Sequence, residues 1–180
     1  MKIYFACNQS TMIMRGGPTY KLIHLKKALL KQNINVEFLN YWDRNLNITE
    51  KDIIHLFTAN SGTYHLAQSL NLFGAKYIVN PIFFSKHSYI KIRSYLYAQK
   101  VINNFLNGNI SEISMTQTIC KKASLVLPNT LDEQNIIEKG LGISKEKLCL
   151  IYNGVEKRFS KVSPDLFIRK YNLKDFILHI

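Results

Sequence analysis

Acidic side chains are scarce in this sequence: 12 Asp and Glu stand against 24 Lys and Arg, a formal charge of +12 over 180 residues. The shortage points to an anionic partner, whether a membrane surface, a phosphorylated substrate or nucleic acid. The alternative is a lysine-rich and asparagine-rich surface that spreads solvated charge everywhere. Cysteine is just as sparse. Cys7, Cys120 and Cys149 are odd in number and far apart, with no CxxC pair and no histidine at metal-ligand spacing. That excludes a zinc ribbon and leaves three reduced thiols, read as buried small hydrophobes. No apolar run approaches the roughly 18 residues that a membrane-spanning helix takes. The opening MKIYFACN has one lysine and too short an apolar stretch for the core of a secretory leader. A cytoplasmic location is expected, with peripheral contact at the inner face of the membrane as an option.

Several chemical signatures are missing as well. A dinucleotide fingerprint places GxGxxG directly after the first strand, but here eight residues separate Cys7 from Gly16 and no third glycine follows. There is no GxxxxGK[ST], no HExxH and no GxSxG, so P-loop hydrolysis, zinc proteolysis and serine hydrolysis lack their parts. The histidines, His24, His55, His65, His87 and His179, are scattered and read as structural. No metal site and no cofactor is expected.

What is present alternates. KIYFAC at 2–7 is a strand, 8–15 a polar loop, and Gly16-Gly17-Pro18 a turn into a helix. In that helix Leu22, Ile23, Leu25, Leu29 and Leu30 repeat at helical spacing, while Lys21, Lys26, Lys27 and Lys31 mostly take the other side. A strand returns at 34–39, which makes a crossover unit of about forty residues. The cycle repeats with a strand at 52–57, a helix at 63–73 stopped by Gly74, and a strand at 76–80 closed by Pro81. Helices follow at 85–106 and 110–122, then a buried strand at 124–127 and a Pro128-Asn129 turn. Thr130 and Glu133 have the spacing of a capping box for a helix over 131–139, which Gly140 and Gly142 end. A sixth strand is expected at 147–152, a charged connector at 156–173, and a strand FILHI at 176–180. Such alternation means an α/β fold with a doubly wound, mostly parallel, Rossmann-like sheet.

Ligands of such a sheet bind beyond the carboxyl ends of its strands. Gly16-Gly17 at a helix start offers N–H groups to a phosphate, or simply permits a tight turn. The stretch bounded by Ser85 and Leu106 interleaves Lys86, Lys91, Arg93 and Lys100 with Tyr89, Ile92, Tyr95, Leu96 and Phe105. It reads either as an interfacial helix for an anionic membrane surface or as an ordinary amphipathic helix on the sheet.

Taken in order, these pieces resemble the N-terminal domain of retaining glycosyltransferases of family 4, which have the two-domain GT-B architecture. The matching parts are the first strand with Gly16-Gly17, DIIHLF from Asp52, NPIFF from Asn80, KKASLVLPNTLDEQNII from Lys121, and KLCLIYNGVEKRF from Lys147. The last two are the most specific, a PN-S/T turn with a downstream glutamate and an NGV-acidic-x-x-F run toward a second domain. The resemblance spans the whole chain, most weakly at 85–109. It implies sugar transfer from a nucleotide sugar to a glycan or lipid-linked acceptor, in surface polysaccharide assembly, with retention of configuration. It also implies that residues 1–156 are the acceptor-side domain, and 157–180 a linker with the first strand of a donor-binding domain. Gly16 and Gly17 inherit the donor-diphosphate loop; Arg15, Asn80 and Asn129 inherit cleft-facing positions; Asn153, Gly154 and Glu156 inherit the hinge. Many relatives carry histidine where Asn80 stands and aspartate where Glu156 stands. The nucleotide pocket and the ExxxxxxxE motif belong to the second domain, so the 180 residues are expected to be inactive alone, with no catalytic residue assigned. Two rivals share the features: a non-catalytic basic module for a phosphorylated ligand or nucleic acid, and a fragment of a GT-B sugar-nucleotide epimerase. No RRM, KH or helix-turn-helix pattern is present, so nucleic acid is not an expected partner.

Overall fold

The computed structural model describes residues 1–14, 16–106, 108, 110–155 and 163–173. Five strands form one sheet: β1 (Ile3–Cys7), β2 (Val36–Phe38), β3 (Ile53–Phe57), β4 (Tyr77–Asn80) and β5 (Leu125–Val126). Their order is β2-β1-β3-β4-β5 and every pairing is parallel. A parallel sheet needs helices on its faces, and here the period-two alternation of β1 and β3 feeds two separate cores. Phe5, Val36 and Phe57 meet Leu22 of α2 (Gly17–Lys31) on one face. Tyr4, Ala6, Ile54, Leu56, Tyr77 and Val79 meet the other helices on the opposite face. Those helices are α3 (Ser61–Leu72), α4 (Tyr89–Asn103), α5 (Glu112–Lys122) and α6 (Leu131–Asn135). Complete burial of Leu22 stabilises the α2 face by about 1.5–3 kcal/mol.

The termini of these helices follow from polar caps. Asn60, Ser88, Ser111 and Thr130 each accept a bond from a first-turn N–H of α3, α4, α5 and α6. Gly74 stands at φ +72 after α3, a left-handed stop that suits glycine. Helix α6 does not continue regularly to Lys139. It passes into a π turn over Ile136–Gly140, which keeps Ile137 buried, while a Cβ added at Gly140 would stand only 3.4 Å from Tyr89 Cα.

Four expectations change. The polar stretch after β1 holds a short helix, α1 (Gln9–Ile13), because Asn8 caps it and Thr19 of α2 donates its hydroxyl to Thr11 O. The long helix at 85–106 is confined to α4, since Ser88 caps it. The sixth strand is reduced to a single bridge between Val126 and Leu148, followed by Cys149 N–H to Val126 O at 3.0 Å and Ile151 N–H to Pro128 O at 2.9 Å. The reason lies in β5: Pro128 has no N–H for a ladder and turns the chain after two strand residues. The charged connector carries a helix, α7 (Asp165–Tyr171), whereas FILHI at 176–180 lies outside the described residues.

Cys120 is buried and its thiol is pushed up to about 12 by desolvation, so it is inert. Cys7 is half-buried, but Cys149 is exposed, contrary to the expectation that all three lie in the core.

Candidate functional site

In the strand order β2-β1-β3-β4-β5 the connections run outward in opposite senses from β1 and β3, and the crevice lies at the carboxyl ends. Two β-branched residues there sit in the left-handed region, Thr58 at φ 70 just after β3 and Ile82 at φ 52 just after β4. Each such conformation costs on the order of 1–3 kcal/mol and persists only where surrounding bonds fix it. Those bonds are present. Thr58 N–H donates to Asn80 O and Ala59 N–H to Pro81 O, both at 2.9 Å, which staples the two loops together. Thr63 donates its hydroxyl to Thr58 O at 3.0 Å, and Thr116 of α5 donates to Ala59 O at 2.6 Å.

Beside this ridge lies a buried polar cluster contributed by four elements. Asn80, at the last position of β4, donates its amide to Leu127 O and, at 3.2 Å, to Asn129 Oδ1. Because Leu127 O can only accept, the Asn80 amide is fixed with its nitrogen toward β5. Lys21 of α2 donates to the same Asn129 Oδ1. Glu133 of α6 accepts from Asn129 N–H at 2.6 Å and from Phe83 N–H at 2.7 Å. The capping box expected from Thr130 and Glu133 is therefore half formed. Glu133 N–H bonds to Thr130 Oγ1 at 3.1 Å, but the carboxylate reaches outward to the β4 and β5 loops and not back to its own helix.

The electrostatics are those of a partly dehydrated site. Burial pushes the Lys21 ammonium below its ordinary pKa, and the Glu133 carboxylate opposes the shift. His55 stacks on Phe57 at 4.0 Å and meets Phe5 edge-on. Its imidazole falls to about 3, mainly through desolvation and next through the charge of Lys21. His55 Nε2, Thr58 Oγ1 and Asn80 Oδ1 are shut away from water with no partner among the described residues. An unpartnered buried acceptor costs about 1–3 kcal/mol.

Gly16 caps α2 in extended backbone and Gly17 begins the helix, with Pro18 in its first turn. Neither stands at positive φ, and a Cβ on Gly17 would meet nothing within 4 Å. The fold itself thus has no need of glycine at these two positions, which leaves the approach to the α2 N-terminus open. Gly62 differs. A Cβ there would overlap the Asn8 amide, with Asn8 Cγ at 2.7 Å, so the residue that follows β1 packs against the first turn of α3.

The structure joins Asn80 and Asn129 directly and places Gly16 and Gly17 at the head of the helix that carries Lys21. Asn153 and Gly154 are exposed. Arg15 and Glu156 lie outside the described residues. Lys21 and Glu133 were not singled out as site residues from the sequence. A signal for Lys21 existed, since it falls four residues before Leu25 and eight before Leu29, on the edge of the apolar stripe.

No family model matches the chain, and no curated protein matches it. A solved structure does: the crystal structure of HepE from Anabaena in complex with UDP aligns with a TM-score of 0.52 at 17% sequence identity. The alignment covers 96% of this chain and 49% of HepE, so the chain spans about half the length of that protein. At this identity the likeness establishes the fold, an all-parallel α/β sheet flanked by helices that matches the Rossmann-like half of a GT-B architecture.

Proposed function

We propose that residues 1–156 act as the acceptor-side half of a retaining, family 4-like glycosyltransferase. In this reading the carboxyl edge of the sheet faces a nucleotide sugar held by a second domain, with a glycan or lipid-linked acceptor lying across it. The single observation that carries the reading is the polar cluster at that edge, where Lys21 of α2 and Asn80 of β4 converge on the Asn129 side chain. The open α2 N-terminus at Gly16 and Gly17, with Lys21 one turn along the same helix, suits the diphosphate of the donor. The fold match with half of a UDP-complexed protein supports the same assignment. Transfer with retention must stabilise a cationic sugar centre and a departing diphosphate together, which takes charged groups converging from two walls. These residues supply one wall.

Amide chemical shifts of the 180-residue chain, titrated with UDP, test the reading. Gly16, Gly17, Thr19, Asn80 and Asn129 are expected to move, with binding weaker than about 1 mM because one wall is absent. A sugar-nucleotide panel assayed for UDP release should show no turnover. Catalytic turnover by these residues alone, or UDP shifts confined to other faces, would overturn the assignment.

A further inference from the structure

Helix α4 packs on the core through Ile92, Leu96 and Gln99 and leaves its other side in solvent. The solvent side is not wholly polar. Ile90, Tyr97 and Val101 form a stripe spaced by seven and four residues, exposed at 61%, 71% and 42%. Phe105 and Leu106 extend it past the helix end, at 83% and 63% exposure. Alongside the stripe runs a groove of about 590 Å³ between α4, α5 and the π turn, whose charged lining is Arg93, Lys100 and Lys121. Among the described residues its lining contains no carboxylate. Asn103 Oδ1, shut off from water and unpartnered among the described residues, belongs to its wall. The local charge is one-sided along the sequence as well. From Ile53 to Ser111 there is no Asp or Glu, while five Lys and Arg fall in that span.

Exposed aromatic and aliphatic side chains cost solubility unless something covers them, and a protein partner chosen by this surface would need to be both apolar and strongly acidic. An anionic bilayer has both properties in one layer: acyl chains for Tyr97, Val101 and Phe105, and phosphodiesters for the guanidinium and ammonium groups beside them. We propose that the exposed side of α4 and its adjoining groove dock on an anionic phospholipid bilayer, with phosphodiester headgroups seated between Arg93, Lys100 and Lys121. The helix lies in the interface plane and does not cross: no helix among the described residues is long and apolar enough to span a membrane. This docking stands independently of sugar transfer, although it would bring a lipid-linked acceptor to the sheet edge.

Co-sedimentation of the full 180-residue chain tests the docking, using vesicles of phosphatidylcholine alone and vesicles with phosphatidylglycerol at about one lipid in three. Binding is expected only to the second kind. Arg93 and Lys100 are exposed, so Arg93→Gln with Lys100→Gln leaves the melting transition in place and weakens binding about tenfold or more. The same loss of charge on α2, Lys27→Gln with Lys31→Gln, should weaken it less than about threefold. Tyr97→Ser with Val101→Ser should weaken it about tenfold even at low salt. Equal binding to both vesicles would overturn the proposal, as would an α2 variant that loses as much as the α4 variant. Release of the vesicles by soluble glycerol phosphate would also overturn it, by assigning the groove to free phosphate esters. None of these outcomes bears on the UDP titration, so the two readings fail separately.

Discussion

At the level of single residues, Gly62 is a position where a side chain would collide, with Asn8. Gly62→Ala places a methyl group against the Asn8 amide, a short side chain with little room to swing away. The expected cost is about 1 kcal/mol, read as a lower urea midpoint at unchanged slope. Asn8→Gly in the same chain should recover most of that loss, and the coupling from the four-variant cycle measures the contact itself. Local chemistry of this kind was only partly legible in the sequence. Gly74 could be read as a helix stop because a stop is a local property. The Gly62 contact joins residues more than fifty positions apart and has no local signature. Thr58 and Ile82 are harder still, since their type argues against the backbone they adopt and only the loop staples explain it.

Among the elements, Glu133 has the widest reach. Its carboxylate holds Asn129 N–H of the β5 loop and Phe83 N–H of the β4 loop, next to the strained Ile82. Glu133→Ala leaves two N–H groups without their acceptor and should cost about 2–4 kcal/mol in chemical denaturation. Faster amide exchange at Phe83 and Asn129 would localise the effect, while Glu133→Gln, with one oxygen left, should fall between the two. The order of helices and strands was legible because turn residues bound the strands and a polar cap opens α3, α4, α5 and α6. The sequence pattern also put Asn80 and Asn129 at strand ends, where they do meet. It could not tell that the Thr130–Glu133 spacing serves two loops as well as one helix, because both uses need the same residue types at the same spacing. The sixth strand failed for a comparable reason: its own residues are β-prone, but its neighbour β5 stops at a proline.

For the whole molecule, pH is the variable that the buried groups make informative. His55 titrates near 6.5 when unfolded and at about 3 when folded, so the unfolded chain binds the extra proton between those values. Its effect is therefore to lower stability as pH falls from 6.5 toward 3, by about 1.4 kcal/mol per pH unit at the steepest. His55→Phe, which can keep the stack on Phe57, should flatten the profile between about pH 4.5 and 6.5 in urea melts. Asp52 acts in the same direction lower down. Bonds from Thr49 and from Lys2 N–H hold its carboxyl at about 2, so the stability it adds is complete above 3.8 and is lost as pH falls through 2.

The π turn over Ile136–Gly140 has a consequence in helical phase. A π turn is an α-helix with one residue too many, and one residue is worth about 100° of rotation. Every side chain beyond it is therefore set by that surplus residue, including buried Leu141 and Ile143 and the segment that bridges β5 at Leu148. Deleting one residue inside the turn would leave composition and apolar content nearly unchanged. It would nonetheless rotate Leu141 away from the core and carry the edge of the sheet out of register, a case where the count of residues, and not their kind, holds the structure.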